Sequence, residues 1–218
     1  MPIQIHLERR CCHLSSLEQS LAKAAASRYT MRFQLQSRLA LKQMSYSLAD
    51  PLQIEENLLK RMITKYSEQL VYRPLEELQY WFTYSCGAFL EPGYPPLFYS
   101  RTQNKVVAPN KSAVAGIGEG IAGFLIQRLY GCRKLARPNH DYPDIVMEGD
   151  GKIYLVKSKA TTQSIAEIKQ VIEEELIRMA AYTSACAELD AQPVVGILVG
   201  TALISESQYY CYLAEVGV

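Results

Sequence analysis

Asp144, Lys157 and Lys159, with Glu119 upstream, are the residues of this chain whose types and spacing are suited to chemistry. Carboxylates are the oxygen ligands that a hard cation such as magnesium takes, and a lysine is a point charge that can stabilise a developing negative one. Asp144 follows Pro143 at the head of Ile145-Val146-Met147, and the two lysines close the run that begins at Ile153. Between them, Gly149-Asp150-Gly151-Lys152 reads as the turn of a β-hairpin. Side chains alternate along a strand, so Ile153, Leu155, Lys157 and Lys159 share one face, and Tyr154, Val156, Ser158 and Ala160 the other. An acid at the head of one strand therefore faces the charged end of the next.

This order and spacing resembles the PD-(D/E)xK nuclease-like superfamily over roughly residues 112 to 216. The resemblance implies a catalytic set of Asp144, Glu119 and Lys159. Asp144 would hold magnesium or manganese, Glu119 the metal or its water, and Lys159 would orient the attacking water. It also implies phosphodiester hydrolysis, nucleic acid and specifically DNA as partner, and a homodimer as the arrangement in which such folds cut both strands. One position departs. Where the family carries Glu or Asp two residues before the lysine, this chain has Lys157. Two acids then meet two ammonium groups, for a local charge of about zero, and an ammonium fills the volume a metal needs.

Two readings follow. In one, the protein is an active magnesium-dependent nuclease whose missing carboxylate comes from the next helix, where Glu167, Glu173 and Glu174 are placed by position. In the other, it is a catalytically silent module that needs no metal and binds nucleic acid or a protein partner. Lys157 then pairs with Asp144 or Glu119, standing in for the cation. Lys157, Ser158, His140, Arg178 and Tyr182 are the candidates for substrate contact. Arg178 and Tyr182, one helical turn apart, resemble the QxxxY motif of the family's exonuclease branch, with Arg replacing Gln.

The elements that must position these residues are legible in outline. Asp50-Pro51-Leu52-Gln53 reads as a helix start, because Asp50 can cap and Pro51 suits the first helical position. Leu14 to Leu39 has helical periodicity with a basic bias, Pro74 opens another helix that Gly87 closes, and Ser112 caps a third that Gly131 ends. Cys132 to Arg137 reads as a strand, and Thr161 or Ser164 caps a long helix with Ile168, Ile172, Leu176 and Met179 inward. Val194 to Gly200 reads as a central strand and Gln208 to Val216 as a final one. The expected fold is an α/β sandwich of the restriction-endonuclease type, with a mixed sheet flanked by helices. Residues 1 to 99 form an added helical N-terminal region, and the Pro-rich segment at Glu91 to Pro96 marks the boundary with the domain over 100 to 218.

Three other features are weighed against structural explanations. Gly118-Glu119-Gly120-Ile121-Ala122-Gly123 matches GxGxxG, but no strand runs into it, and glycines on a helix face also allow close packing on a sheet. The aromatics from Tyr66 to Tyr99 could stack on bases, although helical spacing explains Tyr66, Trp81 and Phe82 as packing. The six cysteines show no zinc-site spacing, and Cys11-Cys12-His13 is too tight for one tetrahedral ion.

A chain of 218 residues at 49% hydrophobic content can build a sizeable core, and its net charge of +1 argues against binding nucleic acid through bulk electrostatics. No apolar run reaches the roughly 18 to 20 residues of a membrane span. Met1 to Glu8 lacks the long apolar core of a signal peptide, so a cytoplasmic location is expected.

Overall fold

Ile3, Ile5 and Leu7 alternate with polar residues, and Pro2–His13 is a strand (β1) instead of a prelude to helices. The computed structural model describes residues 2–42, 45–85, 89–91, 97–99, 108–138, 142–189 and 192–218. After β1 come helices Ser16–Ser27 (α1) and Tyr29–Leu41 (α2), strands Ser47–Leu48 (β2) and Leu52–Glu55 (β3), and helices Glu56–Tyr66 (α3) and Pro74–Ser85 (α4). A short hairpin, Phe89–Glu91 (β4) and Leu97–Tyr99 (β5), precedes helix Lys111–Tyr130 (α5). Strands Arg133–Ala136 (β6), Ile145–Gly149 (β7) and Lys152–Thr161 (β8) follow, then helix Ile165–Cys186 (α6) and strands Val194–Leu203 (β9) and Gln208–Gly217 (β10).

The main sheet has eight strands in the order β2-β1-β10-β9-β8-β7-β6, with β3 also paired to β1. It is mixed: β1 runs parallel to β10 and β8 parallel to β9, whereas β6, β7 and β8 form an antiparallel meander. Helix α5 covers one face, with α3 and α4 packed on it, and α6 covers the other, with α1 and then α2 outside. Strand β9 is buried along its whole length, as an apolar strand covered on both faces must be.

The structure corrects the expectation at Asp50 to Gln53. Leu52–Glu55 pairs antiparallel with β1, Ile54 opposite Ile3 is buried in the core, and the helix begins only at Glu56. The local capping signal yields to the open edge of β1, which offers a ladder of hydrogen bonds and a buried place for Ile54. Because β1 lies beside β10, the sheet joins the first residues to the C-terminal half, across the boundary read from composition. Residues 92–96 and 100–107 of that boundary segment lie outside the described residues, as do Cys86 and Gly87.

Helix α5 runs unbroken from Lys111 to Tyr130, capped by Asn110, whose side chain accepts from the Ser112 and Ala113 amides, and not by Ser112. Gly118 to Gly123 therefore lie mid-helix, not at a strand-to-helix turn. Close packing is their role: a Cβ on Gly118 would fall 2.6 Å from that of Ala160 on β8, and one on Gly123 2.2 Å from the Tyr66 ring on α3. Among the described residues no helix is long and apolar enough to cross a membrane.

Candidate functional site

The β7–β8 hairpin sets the site's register. Asp150 (φ 49°) and Gly151 (φ 70°) make a tight left-handed turn between Gly149 and Lys152, and Ile145 pairs with Val156. One step further along the same register, Asp144 faces Lys157, and its amide bonds to the Val156 carbonyl at 2.9 Å. Cross-strand neighbours share a face, so an acid and a lysine meet there by necessity.

Lys157 Nζ donates to Asp144 Oδ1 at 2.6 Å, and the Ser158 amide donates to Asp144 Oδ2 at 2.7 Å. The two side chains are only 12% and 9% exposed. Lys159, two residues on and sharing Lys157's face, reaches helix α6, where its Nζ lies 3.0 Å from Glu175 Oε1. Asp144 and Lys159 thus belong to two adjacent ion pairs and are not each other's partner. The Ser158 hydroxyl lies on the opposite face, toward Gly118 of α5.

Tyr142 ties these groups together. Its buried ring is 5.4 Å from Lys157 Nζ, 4.9 Å from the Arg178 guanidinium carbon and 4.6 Å from the Tyr182 ring centroid. These are cation–π and tilted aromatic contacts, and they place both α6 residues beside the hairpin. The Tyr142 hydroxyl and Glu175 Oε2 are both buried without a hydrogen-bond partner. Burial, and next the Glu175 carboxylate, push the Tyr142 hydroxyl well above its ordinary range, so it remains a neutral phenol.

Glu119, on α5, is near enough for the Asp144 charge to act on it but bonds elsewhere. Its carboxylate accepts from the Glu68 amide at 2.8 Å and lies 3.5 Å from Arg137 Nη2; Arg137 also pairs with Glu68 and donates to the Tyr66 carbonyl. Burial raises the Glu119 carboxyl above its ordinary value, against the Glu68 amide and the Arg137 charge, with Asp144 adding to the rise. His140 lies outside the described residues.

None of the three acids placed by position on α6 joins the site. Glu167 accepts from Thr161 Oγ1, Glu173 pairs with Arg10, and Glu174 accepts from Gln170. The acid that reaches the site is Glu175, and its spacing carried the signal. It lies three residues after Ile172 and four before Met179, on the inward stripe of the helix. Tyr142 also escaped the sequence reading, although an aromatic residue directly before Pro143-Asp144 is placed to pack under the pair.

These donors do not fit a divalent cation. Both Asp144 oxygens are already engaged, one by an ammonium and one by a backbone amide, and Glu119 is held by an amide and a guanidinium. Among the described residues, no three His, Cys, Asp or Glu side chains form a metal-binding group. What the arrangement can do is present Lys159 and Arg178 at the rim of a charge-neutralised cluster.

No protein-family model matches the chain, and neither a curated protein nor a solved structure matches it.

Proposed function

We propose that this chain is a nuclease-like module that has exchanged its divalent cation for a lysine, and that it engages the phosphates of nucleic acid without hydrolysing them. The contact between Lys157 Nζ and Asp144 Oδ1 at 2.6 Å carries the reading. A restriction-type site brings an acid at the head of one strand against an acid and a lysine on the next, and here an internal ammonium supplies the positive charge. The order α5-β6-β7-β8-α6-β9, with β8 parallel to β9, supports a restriction-endonuclease-like core. Phosphates meet Lys159, whose side chain is 35% exposed, and Arg178 on α6, and binding of this kind weakens steeply with salt.

The test compares the wild type with Lys157→Glu on plasmid and single-stranded DNA, with and without magnesium or manganese. Binding is followed by fluorescence anisotropy across a salt series. The wild type is expected to bind without cutting, and cleavage to emerge only in the Glu variant. Metal-dependent cleavage by the wild type that disappears in Asp144→Asn would overturn the reading in favour of an active nuclease.

A further inference from the structure

A second polar cluster lies on the α6 face of the sheet, three strands away from the hairpin site, and it is built around Arg10 of β1. The Arg10 side chain is 5% exposed and uses one nitrogen, Nη1, in an ion pair with Glu173 Oε1 at 2.6 Å. Its other two nitrogens, Nε and Nη2, are buried without a hydrogen-bond partner. Those two N–H groups form one edge of the guanidinium fork, parallel and spaced for two oxygens carried on a single atom. A buried charged donor left without an acceptor loses its hydration with nothing in return, so two on one edge are an unfavourable arrangement unless an acceptor enters.

The surroundings fit an oxyanion. The Tyr46 ring stacks 4.6 Å from the Arg10 guanidinium carbon, and the Tyr46 hydroxyl is also buried without a partner. Burial pushes that hydroxyl up to about 12, which keeps it a neutral donor. Lys169 Nζ stands 5.5 Å from the same ring and 4.5 Å from that of Tyr212, and it is held by Glu8 at 3.2 Å. Arg10 and Lys169 thus both lie against the Tyr46 ring, and the Glu173 side chain, 52% exposed, forms the outer side of the cluster.

We infer that the bare edge of Arg10, with the Tyr46 hydroxyl, is a binding site for a small oxyanion that presents two oxygens from one centre, a phosphate or a carboxylate. The site is independent of the Asp144–Lys157 pair and of any activity there. Its test is thermal unfolding of the full chain in a titration of inorganic phosphate, and separately of acetate, at constant ionic strength. Saturable stabilisation is expected in one or both arms, and the arm that responds identifies the ligand chemistry. The midpoint should rise by roughly 3 to 6 °C at ten times the half-saturating concentration. Arg10→Lys keeps the charge but loses the fork, and should weaken the half-saturation point about tenfold. Tyr46→Phe should weaken it less. A response that does not saturate in either arm, or one equal in Arg10→Lys, overturns the site. If circular dichroism shows Arg10→Lys unfolded, Glu173→Gln decides: removing the competing carboxylate should tighten binding about tenfold, and an unchanged half-saturation point rejects the proposal.

Discussion

Lys159 Nζ sits 3.0 Å from Glu175 Oε1, so the C-terminal end of strand β8 is tied to the middle of helix α6. The contact lies beside the more deeply buried pair of Lys157 and Asp144, and the two pairs differ in what their loss should cost.

Removing the charge of Asp144 takes this carboxylate away from an ammonium that is only 12% exposed. Asp144→Asn should therefore lower unfolding stability by about 3 to 5 kcal/mol, the usual cost of breaking a buried pair from one side. The double variant Asp144→Asn, Lys157→Met should recover most of that loss. Urea unfolding of the two singles and the double measures it, and strictly additive losses would show that the pair is not coupled.

The outer pair is worth less because Lys159 is 35% exposed and water screens it. Glu175→Gln and Lys159→Met should each cost about 0.5 to 1 kcal/mol, with a coupling energy no larger. Lys159→Met should also weaken DNA binding and flatten its salt dependence, whereas Glu175→Gln should strengthen binding. Anisotropy at two salt concentrations separates the two effects; identical losses of affinity would remove Lys159 from the phosphate-contacting rim.

Glu119 makes a prediction in pH. Burial raises its carboxyl above the ordinary value of 4.5, against the pull of the Glu68 amide and Arg137. The native state therefore holds a proton that the unfolded chain releases, and this contribution is fully present below the unfolded value and lost as pH rises through the folded one. In Glu119→Gln the contribution is absent. Wild-type stability should fall relative to the variant across that window, by at most about 1.4 kcal/mol per pH unit. A gap that stays constant between pH 4 and pH 7 would mean that the carboxyl does not titrate with folding.

The Gly123 position is a steric prediction. A methyl there would lie 2.2 Å from the Tyr66 ring, so Gly123→Ala should destabilise by about 1 to 3 kcal/mol, even though alanine favours a helix by about 1. Tyr66→Leu should rescue it in the double variant, as read from the midpoint of thermal unfolding. A stabilised single variant would mean that α5 and α3 can separate at no cost.

Much of the C-terminal half was legible because its signals are local. The turn at Asp150 and Gly151, the hairpin register and the continuous apolar run of β9 each follow from a few neighbouring residues. Strand β1 was not, since Ile3, Ile5 and Leu7 form an alternation too brief to distinguish from a loop, and its partner lies at the far end of the sequence. For the same reason β3 was read as a helix start: Asp50-Pro51 is a sound capping signal until β1 stands beside it. At the site, the register predicted that Lys157 meets an acid, but which glutamate of α6 reaches in depends on helix phase. Glu173, Glu174 and Glu175 are consecutive, and only the inward stripe of Ile172 and Met179 distinguishes the last of them.

The pairing of Gln4 with Gln208 and His13 with Gly217 imposes an order on how the molecule is made. On the ribosome β1 emerges before the neighbour that shields one of its flanks, which is not synthesised until some two hundred residues later. Until then β1 can hold only the short strands β2 and β3 on its other side. Assembly of the sheet around its middle is thus a late event, and a nascent chain stalled before β10 would carry an exposed strand able to recruit a neighbouring polypeptide.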